Sequence, residues 1–196
     1  MKGLFDEIYS VMPTLQGWCT IEKAECLAST IIAIRPRIVL EIGVFGGASF
    51  IPMALACKRL NCGTCYGIDP WQKAASIEDM DGANRDWWNQ CDHESVYTRF
   101  LSRLEQLKLN EQIRLFRQRS DSVDFSATID ILHIDGNHGD TASCYDVRRF
   151  CPMVRSGGFL YMDDIGWASN AVMMVPNLGF EELYRIGTGA MFQKVR

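Results

Sequence analysis

Four short apolar runs in this sequence each end on acidic or histidine residues. Val39-Leu-Glu41 leads into Gly43-Val-Phe45-Gly46-Gly47-Ala-Ser49, and Tyr66-Gly-Ile-Asp69 leads into Pro70 and Trp71. Ile131-Leu-His133-Ile-Asp135 leads into Gly136-Asn-His138, and Phe159-Leu-Tyr-Met162 into Asp163-Asp164. A glycine-rich turn lets a ligand approach the backbone, and the N-terminus of a following helix favours negative charge. Glu41 in front of that turn would repel a pyrophosphate and attract a cationic group. Phe45 also departs from the dinucleotide fingerprint G-x-G-x-x-G. Asp69 stands where an acid can accept both ribose hydroxyls of a nucleoside, and Trp71 can cover an adenine ring. Taken alone Asp69 reads first as a turn acid; paired with Glu41 it marks a nucleoside-plus-cation site. Asp135, Asp163 and Asp164 would repel one another without a cation, and hard oxygen ligands with room for water suit Mg²⁺ or another divalent ion. A single such Asp would read as a helix cap or turn residue.

The elements that must position these residues alternate. Ile21, Ala24, Leu27, Ala28, Ile31 and Ile32 recur at helical spacing after Thr20, an N-cap, and stop before Pro36. Arg37–Glu41 reads as a strand, Ser49–Leu60 as a helix and Cys65–Asp69 as a second strand. Residues 71–93 break the rhythm with polar sequence around Trp71, Trp87 and Trp88, which reads either as packing or as a substrate lid. A helix is expected from Glu94 to Leu109, a third strand over Ile113–Phe116 and a fourth over Ile129–Asp135. Thr141–Val154 reads as helix, Gly157-Gly158 as a turn and Phe159–Met162 as a fifth strand. Phe180–Ile186 and Ala190–Val195 form a closing hairpin around Gly187-Thr-Gly189. The pattern predicts an α/β fold: a mostly parallel, Rossmann-like sheet with helices on both faces and an antiparallel edge. Ligands in such sheets bind at the carboxyl ends of the strands.

Composition narrows the partners. The 196 residues carry 20 Lys and Arg against 24 Asp and Glu, a net charge of −4, so no basic surface favours nucleic acid. No apolar run reaches the roughly 20 residues of a membrane helix, and the N-terminus, with Asp6 and Glu7, lacks a signal-peptide core. Cytoplasmic residence is therefore expected. The eight cysteines, including the Cys62-Gly-Thr-Cys65 pair, read as reduced thiols, since no second pair completes a zinc site. Without repeats or linkers, residues 1–196 are expected to form one domain, with 71–93 as an insertion.

The ordered set Val39–Ser49, Tyr66–Trp71, Asp130–His138 and Gly157–Asp164 resembles class I S-adenosylmethionine-dependent methyltransferases. Within them it is similar to the small metal-dependent O-methyltransferases and to the macrolide-sugar O-methyltransferase and cephalosporin-hydroxylase-like relatives. The resemblance implies a seven-stranded sheet with a C-terminal antiparallel hairpin. It implies that Glu41 and Gly43 line the methionine part of the cofactor, with the Gly47 turn giving backbone access, and that Ser49 contacts its carboxylate. Asp69 would hold the ribose, Ser120 or Asp121 would sit beside the adenine, and Asp135 would face both the cofactor and the metal. Asp135, Asp163 and Asp164 match metal-ligand positions, although catechol-type members have Asp-Asn where this chain has Asp163-Asp164. His138 falls where the sugar-modifying relatives place a candidate general base; otherwise it is a surface loop residue. The aromatic residue that relatives carry two positions later is Asp140 here.

The expected activity is divalent-metal-dependent transfer of a methyl group to a hydroxyl of a small molecule, phenolic or sugar diol. His133 reads as a core residue, and a homo-oligomer is compatible with the sequence. Two other readings stay open: an iron oxygenase using His133-x-Asp135 with a distant histidine, and a non-catalytic nucleoside-binding protein on the same fold.

Overall fold

The alternation of β-branched runs and helical stretches becomes a single sheet with helices on both faces. The computed structural model describes residues 2–196. Its elements are α1 (Lys2–Val11), α2 (Ile21–Ile34), β1 (Ile38–Ile42), α3 (Phe50–Leu60) and β2 (Thr64–Ile68). Then come α4 (Lys73–Ser76), α5 (Gly82–Gln90), α6 (His93–Gln106), β3 (Ile113–Phe116) and β4 (Ile129–Ile134). The chain continues through α7 (Asp140–Phe150), β5 (Val154–Met162), α8 (Ser169–Met174), β6 (Phe180–Ile186) and β7 (Gly189–Lys194). The strand order is β3-β2-β1-β4-β5-β7-β6. β1 to β5 run parallel, and β7 lies antiparallel between β5 and β6. This is a Rossmann-like, mostly parallel sheet with an antiparallel C-terminal edge.

Successive strand residues point to opposite faces, and that parity decides which helices meet which side chains. Val39 of β1, Ile131 of β4 and Tyr161 of β5 pack with Leu4 and Ile8 of α1, Leu27 and Ile31 of α2, and α3. Leu40, Ile42, Leu132, Ile134 and Leu160 face the other way, onto Val147 and Phe150 of α7 and Ala171 of α8. Glu41 and His133, directly opposite in the β1–β4 register, therefore project into the α1–α3 layer. Past the strand ends, Asp135 continues the parity of His133, and Asp163 that of Tyr161. Asp135 and Asp163 thus belong to the face on which α2 packs.

Several boundaries differ from the sequence reading for identifiable reasons. Helix α7 stops at Phe150 because Pro152 forces a 3-10 turn over Cys151–Met153, and Val154 already belongs to β5. Gly157 and Gly158 lie inside β5, at a register shift against β4, and not in a turn before it. At Gly158 a Cβ would stand 2.9 Å from the Asp130 carbonyl oxygen, so the two strands pinch together there. Helix α1, which the apolar pattern did not single out, buries Leu4, Ile8 and Val11. Thr20 does cap α2, its side chain accepting the Lys23 amide. Among the described residues no helix is long and apolar enough to cross a membrane.

At the opposite end of the sheet from the site, Asp130 ties three strands together. Its Oδ2 accepts the amides of Arg37 (2.8 Å) and Ile38 (2.9 Å), and its Oδ1 accepts Arg155 Nε at 2.6 Å. Burial alone would raise this carboxyl, but Arg155 and the two amides outweigh it and hold the group below its ordinary value. Its contribution to stability is therefore complete above the usual carboxylate range and is lost as pH falls through the depressed folded-state value. Asp130→Asn should lower unfolding stability by about 1–3 kcal/mol at neutral pH and flatten the acid limb of stability against pH. Urea titrations from pH 3 to 7 would check this; an unchanged midpoint would contradict the tie.

Candidate active site

A cavity of about 670 Å³ opens at the carboxyl ends of the parallel strands, within the range that holds a cofactor-sized ligand. Hydrogen bonds that prolong the ladders fix its rim. Gly43 N donates to Ile68 O at 2.9 Å, Asp135 N to Ile42 O at 2.8 Å and Asp163 N to Ile134 O at 3.0 Å. The acids are thus placed by sheet register and not by flexible loops. Gly43 has φ +89°, and a Cβ on it would lie 2.0 Å from the Asp135 carbonyl oxygen. The β1 turn and the end of β4 touch backbone to backbone, which only glycine allows.

Each carboxylate at these strand ends meets a specific partner, with one exception. Glu41 is fully buried, accepts the Ser49 hydroxyl and lies 3.0 Å from His133 Nδ1. Burial would lower the His133 value, but Glu41 outweighs it and raises the imidazole toward the charged form. Asp163 is gripped by Lys23, whose Nζ lies 2.6 and 2.7 Å from its two oxygens. Asp163 Oδ1 also accepts the Thr188 hydroxyl and the Asp164 amide, both at 2.9 Å. Asp164 sits 3.2 Å from His138 Nε2 and is held below its ordinary value first by that histidine and in smaller part by Lys23. Burial would lower His138, yet Asp164 and Asp135 outweigh it and raise its value. Asp135 is the exception: its side chain has no hydrogen-bond partner among the described residues, and burial pushes it up to about 7.

Asp69 accepts the Phe45 amide at 2.8 Å on one oxygen and the Trp71 amide at 2.7 Å on the other. Burial raises its value in spite of those bonds. It stands on the cavity wall with Ser120, Asp135, His138, Gly43 and Ser49.

Other expectations need correction. Glu41 does not line the cavity; parity turns it inward, where His133 and Ser49 engage it. The Ser49 hydroxyl, on the wall, is committed to Glu41. Gly47 faces the α6 side, where a Cβ would meet the Phe100 ring at 2.6 Å. Trp71 covers no ligand: it is 2% exposed, stacks on Phe100 and donates its indole N–H to the Phe45 carbonyl at 2.8 Å. Asp121 lies outside the cavity, bonded to Arg119 and Ser122.

The expected metal triad of Asp135, Asp163 and Asp164 does not fit, because both oxygens of Asp163 are held by a lysine ammonium. The residues whose ligand atoms do converge within 4.8 Å are Asp135, His138 and Asp164, and separately His133, Asp135 and Asp163. The second group is committed to Glu41 and Lys23.

Sequence reasoning missed five residues. Lys23 lies one turn before Leu27 on the buried stripe of α2, but a lysine in a first turn reads as a surface residue and nothing local marks it. Trp18 lies on the cavity wall, stacked on Phe45 at 5.5 Å and edge-on to Trp87 and Trp88 at 5.0 and 5.7 Å. Asn137 Nδ2 reaches the carbonyls of Ala75 (2.9 Å) and Glu78 (2.8 Å), and Arg119 pairs with Glu78 at 2.6 Å. Residues 71–93 are therefore bound to the strand-end loops as a wall bearing Trp87 and Trp88. Asp146 of α7, 2% exposed, borders the cavity with one oxygen unpartnered, and burial pushes it up to about 7.

A parallel sheet in this order, with its cavity between the first glycine turn and the acids ending β4 and β5, defines a Rossmann-like methyltransferase. The chain belongs to a family of methyltransferase domains, matching it over residues 40–165. Solved structures agree in fold. The O-methyltransferase from Bacillus cereus in complex with SAH is 14% identical with TM-score 0.65, spanning 99% of this chain and 91% of that one. The O-methyltransferase TomG from Streptomyces achromogenes, involved in tomaymycin synthesis and solved with SAM, is 15% identical with TM-score 0.64, spanning 91% and 82%. The O-methyltransferase NovP is 19% identical with TM-score 0.68, spanning 89% and 79%. At these identities the likeness is one of fold. No curated protein sequence matches the chain.

Gly43→Ala should lower stability by about 1–3 kcal/mol or more, because both φ and the Asp135 carbonyl oppose a side chain. Gly166→Ala, where a Cβ meets nothing within 4 Å, serves as the control in the same urea titration. Equal midpoints would show that the turn and β4 are not in contact.

Proposed function

We propose that this protein is an S-adenosylmethionine-dependent O-methyltransferase acting on a hydroxylated small molecule, a phenol or a sugar diol. The observation that carries this reading is the His138–Asp164 pair on the rim of the cavity, beside Asp135, in a chain of the methyltransferase-domain family. S-adenosylmethionine, when bound, supplies a methyl group on a sulfonium sulfur that is already activated for transfer.

The chain's own residues then have separable tasks. Asp69 keeps lone pairs on both oxygens, beyond its two backbone bonds, for ribose hydroxyls. Ser120 and the unpartnered oxygen of Asp146 stand where an adenine 6-amino group would find acceptors. Gly43 keeps the turn flush with the wall. Asp135, the rim acid without a direct partner, gives a sulfonium the counter-charge it needs in a dry site. His138 takes the proton of the acceptor hydroxyl as methyl moves onto its oxygen, while Asp164 holds the ring by Nε2. Trp18, Trp87, Trp88 and Trp167 give flat apolar surface against which a phenol or the C–H face of a sugar packs. Most of the rate is then positioning.

Isothermal titration with S-adenosylmethionine and a mass-spectrometric screen of phenols and sugar diols would test the reading; the absence of binding would refute it. His138→Ala should cut turnover by about 10²–10⁴-fold and leave the donor's Kd within about threefold. Turnover should fall as pH drops through the His138 value, which lies above the ordinary 6.5. Asp164→Asn removes the main cause of that elevation and should move the acidic limb to lower pH.

A further inference from the structure

The first turn of α2 holds a residue that its local setting disfavours. A helix N-terminus repels cations, yet Lys23 is the third residue of α2 and is 5% exposed. A lysine is almost never buried unless it is paired. Lys23 is fully paired: its ammonium meets both oxygens of Asp163 and the Thr188 hydroxyl, the last at 3.1 Å, so its three N–H donors are all engaged. Asp163 Oδ1 accepts three bonds in all, which leaves no direction on that oxygen for a metal ion.

We propose that the Lys23 ammonium permanently occupies the place of a divalent cation, so that the site works without a metal. The three partners come from distant parts of the chain: α2, the end of β5 and the β6–β7 turn. Helix α2 brings Lys23 there because it packs on the sheet face toward which Asp163 projects. Two of the remaining three acids are also matched. His138 meets Asp164, His133 meets Glu41, and Asp135 faces the cavity. An ion drawn to Asp135, His138 and Asp164 would have to displace the base from its orienting acid and accept the nearby lysine charge. Without a chelated ion, the acceptor needs one hydroxyl and no neighbouring oxygen.

The activity arm of the test rests on the methyl-transfer reading; the metal-binding arm does not. Electron paramagnetic resonance of Mn²⁺ titrated into the native protein should show no bound ion at micromolar concentration, with or without S-adenosylmethionine. Turnover should be unchanged by exhaustive EDTA treatment. Micromolar Mn²⁺ binding to the native protein would overturn the proposal, as would a loss of turnover on chelation that Mg²⁺ restores. Lys23→Met keeps the apolar stem and removes the charge, and should gain Mn²⁺ affinity by tenfold or more. Lys23→Ala serves the same purpose if the first variant does not fold. A folded variant that binds Mn²⁺ no better than the native protein would show that the ammonium does not stand in the ion's place. A protein that binds no Mn²⁺ and methylates nothing would refute the methyl-transfer reading while leaving the absence of metal standing.

Discussion

Four carboxylates, from Glu41, Asp135, Asp163 and Asp164, are gathered at the ends of three adjacent strands, and their repulsion governs what else must be present. At about 4 Å, with an effective dielectric near 20, two like charges cost about 4 kcal/mol. A sheet that ends in four such groups cannot close over them unless positive charge arrives from elsewhere. Here the ammonium of Lys23 arrives from α2, and the imidazoles of His133 on β4 and His138 in the loop after β4 each stand against an acid. Each of these basic groups is matched to one acid. The acid left over faces the cavity.

The site also holds placements that local preference would not favour. Lys23 occupies a helix N-terminus, and Asp164 and Phe45 adopt left-handed backbone at φ +46° and +47°. Left-handed backbone is costly for residues other than glycine, and it persists where surrounding structure fixes it. Both positions border the cavity. The apolar layers on either side of the sheet supply the stability against which these costs are set, and the ladder bonds beyond the strand ends hold the geometry.

Much of the fold was legible because parallel strands are short, apolar and bounded by turns. All seven were recognised, and so were the acids that end them. What sequence could not supply was which way each acid faces. Glu41 and Asp69 read alike as strand-end acids, yet Glu41 turns into the α1–α3 layer while Asp69 lines the cavity. Trp71 shows the same limit: its neighbours are polar, but its ring is drawn into a cluster with Tyr97 and Phe100, contributed by a helix some 26 residues later. Lys23 was illegible for a similar reason. Its partner lies 140 residues away, and only the assembled sheet brings them together.

That separation bears on how the molecule comes into being. Strands β1 to β5 can pair as they emerge during synthesis, in the order in which they are made. Asp163 and Asp164 then sit at the end of β5 before the β6–β7 hairpin has been translated. Thr188 lies in the turn of that hairpin, so the hydroxyl that completes the Lys23–Asp163 cluster reaches the strand end after the acids do. A nascent chain halted between β5 and β6 would carry the parallel sheet with its charged rim incompletely bonded. The hairpin thus covers β5 and completes the electrostatics of the sheet's mouth in one late step of assembly.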